Sequence, residues 1–354
     1  MDSVIVRFAG IAKEFTVSSD LDLGFITVKW YGAIIAFGFT LAVLWGGRTA
    51  TKWKMNLDKM VDVLIYGTIT AIIGARLYFV AFKWDYYSEH LADIPKIWEG
   101  GLAIYGGIIG GIAAAWVVCK VRKLNFYNLL DMAGMSLLIG QGIGRWGNYA
   151  NQEAFGSFTG GNWGMMSDKV ISYISSTDKI RGMYGLKELQ SFDQVKEYVT
   201  ENNLYVHPTF FYESVWCILG FFVLYIIMKK YRKFSGQLFL TYGVWYGLER
   251  TFVEGLRSDS LYININGTNF RVSQVLSMAI VAVCGVILIA LLIKFTKHPK
   301  PIEGVDYFQP LTEKEILVQK KKEEKKALKK QIKEGASENT AEETADDEYE
   351  EEEE

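Results

Sequence analysis

The feature of this sequence that most restricts its fold is a series of long apolar segments. A helix needs about 20 mostly apolar residues to cross the hydrocarbon core of a bilayer. Half of the 354 residues are hydrophobic, and much of that content lies in runs too long for the core helices of a soluble domain. Seven runs approach the required length, and they extend approximately over Trp30 to Gly47, Met60 to Phe82, Leu102 to Cys119, Phe126 to Trp146, Phe210 to Met228, Leu238 to Leu256 and Val275 to Ile293. The sequence therefore predicts an all-α polytopic membrane protein with seven transmembrane helices.

Basic residues flank alternate ends of these segments. They follow the first, third, fifth and seventh runs: Arg48, Lys52 and Lys54; Lys120, Arg122 and Lys123; Lys229, Lys230, Arg232 and Lys233; Lys294 and Lys297. Because cytoplasmic loops carry an excess of lysine and arginine, we expect the amino terminus outside and the carboxyl terminus in the cytoplasm.

The polar parts of the chain divide it into regions. Residues 1–29 form a predicted extracytoplasmic amino-terminal segment without the pattern of a cleavable signal, and residues 30–296 form the membrane domain. Within that domain, residues 148–206 are long enough for a small extracytoplasmic cap, although not for an independent core. Residues 297–354 form a charged cytoplasmic tail that we expect to be partly disordered, since Glu343 to Glu354 is almost wholly acidic.

The scarce cysteines argue against a metal centre or a disulfide framework. Cys119, Cys217 and Cys284 each lie within an apolar run, without CxxC or His-Cys spacing. The chain also lacks the glycine patterns of a P-loop or a Rossmann fold. We therefore predict no metal, no cofactor and no nucleic-acid partner. The net charge is −2, but the acidic tail leaves a positive excess elsewhere, which suits an anionic membrane surface.

Glycine is dense in the third and fourth segments, at Gly106, Gly107, Gly110, Gly111, Gly134, Gly140, Gly142 and Gly144. In lipid this pattern favours close helix packing, because small residues let backbones approach each other. Room for a lipid headgroup or an acyl chain is the alternative interpretation.

Ionisable side chains inside the apolar segments are costly, so each indicates either a functional group or an ion pair within the bundle. The predicted topology brings most of them to the outer ends of their helices, namely Arg76, Tyr105, Arg145, Tyr212, Glu213, Tyr246, Arg250 and Glu254. Asp131 is the exception, since it opens the fourth segment on the cytoplasmic side. For Asp131 we expect helix capping or a structural ion pair.

Two sequence patterns mark a candidate anion site. Tyr246, Arg250 and Glu254 are four residues apart, and Arg257 follows three later, so all four lie on one helical face. Arg145 stands at the end of the fourth segment, within a stretch that also carries Asn148, Asn151, Glu153 and Gly156. Guanidinium groups present a planar fork to phosphate oxygens, and side-chain amides can bind headgroup hydroxyls. A phosphate between Arg145 and Arg250 is the natural ligand, and its place at the outer leaflet makes a phospholipid the expected source.

Gly144 to Gly156 reads GRWGNYANQEAFG and fits the form G-R-x-G-N-[FY]-x-N-x-E-x-x-G at every specified position. In this stretch the sequence resembles the prolipoprotein diacylglyceryl transferase family. Similar stretches are Trp30-Tyr31-Gly32, Gly74-Ala75-Arg76-Leu77, Asp131, His207-Pro208-Thr209 with Tyr212-Glu213, and Tyr246 to Arg257. The resemblance covers about Trp30 to Ile293.

The resemblance implies an enzyme of the bacterial cytoplasmic membrane that acts at its outer face. The cysteine thiol in the lipobox of a prolipoprotein signal peptide would attack the diacylglyceryl part of phosphatidylglycerol, so that a thioether forms and glycerol phosphate leaves. The implied partners are phosphatidylglycerol, the prolipoprotein signal peptide and the lipid bilayer. The candidate catalytic residues are Arg145, Arg250, Glu153, Glu254 and Tyr105. The candidate substrate-binding residues are Arg145, Asn148, Asn151, Arg250, Tyr246, Tyr31, Arg76 and Gly156.

One departure from the family concerns the proton acceptor. The family often carries His-Gly-Gly near the start of the third segment, whereas this chain has Tyr105-Gly106-Gly107. Tyrosine, with a pKa of about 10, is a poor base near neutral pH, so hydrogen bonding or packing is the expected use of Tyr105. For His207 we expect loop or cap bonding rather than proton transfer. The acceptor of the thiol proton is left open among Glu153, Glu254 and water.

Two other classes of function are compatible with intramembrane charges. A lipid or ion transporter would carry charges through both leaflets and paired repeats, whereas these charges cluster on one side. A non-catalytic protein that binds a lipoprotein precursor or a phospholipid is the second alternative, and an activity assay distinguishes it from the enzyme.

Overall fold

The structure is a computed structural model that describes residues 3–299, apart from 12, 23, 25–26, 162, 258–261 and 266–267, together with residue 302. The predicted tail, residues 297–354 with the acidic run Glu343 to Glu354, therefore lies almost entirely outside the described residues.

Helices account for most of the described chain. The long ones are α1 (Trp30–Lys52), α2 (Leu57–Phe82), α4 (Ile104–Arg122), α5 (Phe126–Asn151), α9 (Thr209–Ile226), α10 (Gln237–Leu256) and α11 (Val272–Lys297). A π-helical turn, Ile227–Tyr231, continues α9. The short ones are α3 (Trp84–Tyr87), α6 (Asp168–Ser175), α7 (Asp178–Met183) and α8 (Phe192–Glu201), with 3-10 turns at Leu91–Asp93 and Ile97–Glu99.

Each predicted apolar segment overlaps one of these long helices. Five of them, α1, α2, α4, α9 with its π turn, and α11, are long and apolar enough to cross a membrane. Helices α5 and α10 are as long, but polar and charged side chains such as Gln141, Arg145, Glu249 and Arg250 interrupt their apolar content. That all seven cross the membrane stays a prediction.

The described residues also form seven short strands, which the all-α prediction did not include. They are β1 (Ser3–Phe8), β2 (Phe15–Ser18), β3 (Asp20–Asp22), β4 (Thr27–Lys29), β5 (Met165–Ser167), β6 (Tyr262–Ile265) and β7 (Thr268–Arg271). The first two are rich in β-branched and aromatic residues, which suit a pleated surface. Strand β1 pairs antiparallel with both β2 and β5, and the pairs β3–β4 and β6–β7 form two-stranded sheets.

Strands β1, β2 and β5 and helices α6, α7 and α8 form a β/α subdomain, here defined as residues 3–22 and 155–206. Its helices begin at the side-chain caps Ser167, Thr177 and Ser191, each of which accepts a hydrogen bond from a backbone N–H of the first turn. Its core includes the buried residues Phe155, Met165, Met166, Val170, Ile171, Ile174, Tyr184, Leu186, Val195, Val199 and Val206. Residues from outside the segment 148–206 complete this core, because Phe8 of β1 and Phe210 of α9 pack against it.

Three helices, α5, α9 and α10, pack against one another, with α1 on α5 and α11 on α10. Small residues allow the close approach. A Cβ at Gly134 of α5 would lie 3.2 Å from Cβ of Tyr242 in α10, and one at Gly142 would lie 3.2 Å from Cβ of Cys217 in α9. Trp216 and Trp245 join α9 to α10, because the indole N–H of each donates to the carbonyl of the other, at 3.1 and 3.0 Å. This three-helix group positions the candidate site.

Helices α2 and α4 form a separate pair that packs through glycine. A Cβ at Gly74 would meet the carbonyl of Gly106, and a Cβ at Gly106 would meet the carbonyl of Gly74. A Cβ at Gly110 would lie 2.6 Å from the carbonyl oxygen of Thr70. The packing interpretation of the α4 glycines is thus confirmed. In α5 the result is mixed, since no atom lies within 4 Å of a Cβ built at Gly144.

Asp131 forms both interactions that the sequence left open, a structural ion pair and a helix cap. Its carboxylate receives the Arg232 guanidinium at 2.8 Å, and both side chains are fully buried. It also accepts hydrogen bonds from the backbone N–H groups of Gly236 (2.8 Å) and Phe239 (2.9 Å). Asp131 therefore caps α10 rather than its own helix, because the orphan N–H groups at the start of α10 point at it.

Candidate active site

Arginine and glutamate side chains from α5, α9 and α10 form a buried cluster. Arg145 lies near the end of α5, Glu213 in the first turns of α9, and the remaining members on α10. We define the arginine–glutamate cluster as Arg145, Glu213, Tyr246, Glu249, Arg250 and Glu254. Sequence spacing placed Tyr246, Arg250, Glu254 and Arg257 on one helical face. Helix α10 includes the first three, but the prediction is wrong for Arg257, because the helix ends at Leu256 and Arg257 has an extended backbone.

Two ion pairs organise the cluster. Arg145 pairs with Glu213, and Arg250 pairs with Glu254 at 2.7 Å. The carboxylate side chains are 1% and 3% exposed, whereas the two arginine side chains are 22% and 21% exposed. Each guanidinium is therefore paired with a buried carboxylate, while about a fifth of each arginine side chain stays exposed.

The charges interact beyond these two pairs. Glu213 interacts electrostatically with Arg145, Arg250 and Arg257. Glu249, which is 4% exposed, interacts with Glu213, Arg145 and Arg250. Such interactions are stronger away from water, so the charges in this buried group are coupled to one another.

In the cluster, Glu213 Oε1 and Glu249 Oε1 have no hydrogen-bond partner among the described residues. The other oxygen of Glu249 has only a thiol donor, Cys217 Sγ at 4.0 Å. Neither Glu249 nor Cys217 was predicted from the sequence to belong to this site. The signal was present for Glu249, since an ionisable residue within an apolar segment deserves the same weight as its neighbour Arg250.

The segment that follows Arg145 forms a network of its own. The side-chain amides of Asn148 and Asn151 both donate to Glu153 Oε1, at 3.1 and 3.3 Å. The chain leaves α5 through Gln152 and Ala154, whose φ values are 51° and 55°. The structure thus brings the predicted residues Asn148, Asn151 and Glu153 together at the carboxyl end of α5, the helix that carries Arg145.

Gly156 lies where three segments cross. Its N–H donates to the carbonyl of His207 at 2.9 Å, and its carbonyl accepts from the Tyr184 hydroxyl at 3.0 Å. A Cβ at this position would lie 2.8 Å from the carbonyl oxygen of Leu256 and 2.9 Å from Cβ of His207. These contacts explain why glycine is required for packing here, and the substrate-binding role of Gly156 stays a prediction.

Tyr31, near the start of α1, contacts the end of α5. A Cβ at Gly147 would lie 2.9 Å from the Tyr31 ring, and the tyrosine is 37% exposed. The ring therefore packs on Gly147, which lies between Arg145 and Asn148 in the chain, and part of the ring surface is accessible.

Arg76 and Tyr105 have their recorded contacts elsewhere. The Arg76 guanidinium donates to four backbone carbonyls of the loop after α2, those of Asp93, Ile94, Gly100 and Gly101. The Tyr105 ring lies 6.4 Å from that of Tyr78 and is 41% exposed. Among the described residues, no hydrogen bond or ring contact joins either of them to the arginine–glutamate cluster. Their predicted roles in the site stay predictions.

His207 bonds locally, in keeping with the expected loop role. Its Nδ1 lies 3.2 Å from the Tyr212 hydroxyl, which also accepts from the indole N–H of Trp163 at 2.8 Å. Because tryptophan can only donate, the tyrosine hydrogen is left for the imidazole nitrogen. Burial lowers the pKa of His207 below its ordinary value, so the neutral ring suits this arrangement.

No group of three or more His, Cys, Asp or Glu side chains that could hold a metal ion occurs within the part of the chain that the structure describes. The chemistry available in the cluster is that of fixed positive charge, carboxyl groups and hydroxyls.

Comparison with known proteins gives the family. The model of the prolipoprotein diacylglyceryl transferase family matches residues 19–291. The chain is 41% identical over 261 residues to a phosphatidylglycerol-prolipoprotein diacylglyceryl transferase of Listeria innocua, which covers 74% of this chain and 84% of the relative. A protein of the same name from Staphylococcus aureus is 38% identical over 274 residues, which covers 77% of this chain and 88% of the relative. With most of both chains aligned at this identity, the protein belongs to the prolipoprotein diacylglyceryl transferase family.

Proposed function

We propose that this protein transfers the diacylglyceryl group of phosphatidylglycerol to the lipobox cysteine of prolipoproteins and releases glycerol phosphate. The relatives from Listeria and Staphylococcus carry this activity in their names. The observation that carries the proposal is the pair of arginines, Arg145 and Arg250, each paired with a buried glutamate and itself partly exposed. That arrangement suits a phosphate group.

The arginines act on the leaving group. The cysteine sulfur forms a bond to the glycerol carbon of the diacylglyceryl part while the bond from that carbon to the phosphate oxygen breaks. Negative charge develops on the departing phosphate, and preorganised guanidinium groups stabilise it without reorganisation. Glu213 and Glu254 hold the two guanidinium groups in place.

The positive field also favours the reactive form of the substrate cysteine. A free thiol has a pKa of about 8.5, and nearby cations lower it. The thiol proton passes to Glu153, Glu254 or water. Glu153 is exposed and hydrogen-bonded to two amides, whereas Glu254 is buried against Arg250.

Four of the remaining predicted residues would contact the headgroup or the peptide, and the other three would act by packing or through a loop. Asn148 and Asn151 offer amide groups next to Arg145, and Tyr31 and Tyr246 flank the same region. Gly156 keeps the crossing of three segments compact. Arg76 would act through the loop that it binds, and Tyr105 as a hydrogen-bonding or packing group.

The site is proposed to face the outer leaflet of the bacterial cytoplasmic membrane. With seven spans and the basic residues after the first, third, fifth and seventh, the amino terminus is outside and the carboxyl terminus is in the cytoplasm. Arg145, Glu213, Arg250 and Glu254 then lie at the outer ends of their helices. In this topology the β/α subdomain is extracytoplasmic, because its larger part joins the outer ends of α5 and α9.

Mass measurement of a peptide product tests the function. The purified protein is incubated with phosphatidylglycerol and a lipobox peptide, and a second peptide carries alanine in place of the cysteine. We expect a diacylglyceryl mass increment on the cysteine peptide alone, with an equal amount of glycerol phosphate released. A folded, lipid-supplied protein that leaves the cysteine peptide unmodified would refute the proposal.

A further inference from the structure

Glu249 is a buried carboxyl group that the proposed mechanism does not use. It lies on α10 between Tyr246 and Arg250, with 4% of its surface exposed. Its Oε1 has no hydrogen-bond partner among the described residues, and Glu213 Oε1 in the same cluster has none either. A buried acceptor without a donor is unfavourable and calls for a specific reason.

Pairing with an arginine does not supply that reason. Arg145 already has Glu213 as its direct partner, and Arg250 has Glu254. Within the described residues Glu249 forms no ion pair of its own, and its nearest donor is the weak thiol of Cys217 at 4.0 Å. A third buried carboxyl group near two arginines that already have carboxylate partners adds a desolvation cost and forms no ion pair of its own.

The surroundings of Glu249 are rich in acceptors. Besides the two glutamate oxygens, Gln141 Oε1 is buried without a partner, while the amide nitrogen of Gln141 donates to Tyr242 at 2.9 Å. Tyr242 in turn interacts electrostatically with Glu249. A ligand that fits this region therefore has to bring hydrogen-bond donors. Arg145 and Arg250, which interact with Glu249, offer donors to the anionic part of the same ligand.

A phosphate ester with free hydroxyl groups on neighbouring carbons has this combination. Its phosphate accepts hydrogen bonds from the arginines, and its hydroxyls donate to carboxyl oxygens within a few bonds of the phosphate. We propose that Glu249, together with Glu213, forms a subsite that binds the hydroxyl groups of the glycerol headgroup and selects the phospholipid donor. This inference rests on the proposed function and names the headgroup recognition of that same site.

A substrate that lacks the hydroxyls tests the subsite. Phosphatidylglycerol and phosphatidylpropanol with the same acyl chains are compared as donors to a lipobox peptide, and kcat/KM is measured for each lipid. The proteins are the wild type, Glu249→Leu, Glu249→Gln and the control Asp58→Asn, which changes an exposed carboxylate at the start of α2. Loss of the hydroxyl donor to a buried carboxyl oxygen corresponds to about a 10- to 100-fold difference in rate constant.

For the wild type and the control we expect phosphatidylpropanol to be about 10- to 100-fold poorer than phosphatidylglycerol. In Glu249→Leu the two lipids become nearly equal, because the phosphatidylglycerol rate falls while the phosphatidylpropanol rate changes little. Glu249→Gln keeps one acceptor oxygen, so its preference for phosphatidylglycerol should lie between that of the wild type and that of Glu249→Leu.

Two outcomes overturn the inference and leave the function intact. In one, the wild type uses both lipids equally. In the other, Glu249→Leu lowers kcat/KM for both lipids by the same factor, or leaves it unchanged for both, so that the wild-type preference is kept. Glu249→Gln then behaves in the same way. Failure of the wild type to modify the peptide with either lipid would instead refute the proposed function.

Discussion

Position 105 holds a tyrosine, where the resemblance drawn from the sequence leads us to expect a histidine. The Tyr105 ring lies 6.4 Å from that of Tyr78 in α2 and is 41% exposed. A phenolic hydroxyl gives up its proton too reluctantly to serve as a general base near neutral pH. The arginine field is the better explanation for activation of the thiol.

Tyr105→Phe is therefore expected to keep substantial transfer activity, within about tenfold of the wild type, since general acid–base assistance by a positioned group would contribute about 100-fold or more. Tyr105→His should be tolerated because the position already holds a ring. Transfer rates of both variants across a pH range check this. Near-complete loss in a folded Tyr105→Phe protein would show that the hydroxyl is required.

Glu254 is proposed to act through another residue. Its carboxylate lies 2.7 Å from Arg250 and is 3% exposed, which supports a role in orienting the guanidinium. Glu254→Gln keeps an acceptor oxygen but loses the charge, and we expect transfer to fall about tenfold, the low end of the range for a charged hydrogen bond. Steady-state kcat/KM values compare it with Arg250→Ala. A loss as large as that of Arg250→Ala would instead place Glu254 in direct proton transfer.

At the scale of elements, hydropathy alone located the long helices, because each apolar segment specifies its own helix locally. It could not reveal the β/α subdomain. Strand β1 (Ser3–Phe8) pairs with β5 (Met165–Ser167), which lies far away in the chain, and such pairing leaves no local signal. In the site, the motif indicated Arg145, and helical spacing indicated Arg250 and Glu254. Glu249 was missed because it does not share the four-residue spacing of Tyr246, Arg250 and Glu254. The anchoring of Arg76 by loop carbonyls depends on a turn that the sequence does not specify.

The Asp131–Arg232 pair makes a prediction about elements. Removing Asp131 leaves Arg232 buried and removes two backbone contacts at the start of α10. Asp131→Ala should therefore lower the free energy of unfolding by about 3–5 kcal/mol. The thermal unfolding midpoint in detergent measures this loss. The matched control is Asp62→Ala, which breaks a partly exposed pair with Arg122 at 2.8 Å and should cost at most about 1 kcal/mol. Equal midpoints for the two variants would contradict this account of the junction.

At the scale of the whole molecule, the account depends on which side of the membrane each end of the helices faces. The basic residues up to Lys233 predict a cytoplasmic loop between α9 and α10. The same rule predicts that the β/α subdomain, which contains Lys179, is on the other side of the membrane. A reporter fused after Lys233 should read as cytoplasmic and one placed near Lys179 as external. The opposite labelling would move the arginine–glutamate cluster to the inner leaflet and away from the proposed reaction.

The central claim is that Arg145 and Arg250 hold the phosphate of the lipid donor. The most direct test is the transfer rate of Arg145→Ala and Arg250→Ala with saturating phosphatidylglycerol, in protein shown to be folded and inserted. Arg122→Ala serves as control, since this arginine is 48% exposed and pairs with Asp62. We expect each site variant to lose about 100- to 1,000-fold in rate, as when one preorganised donor is removed, and Arg145→Lys to keep at most a small part of the activity, because lysine lacks the planar fork. Near-normal turnover in both alanine variants would contradict the claim.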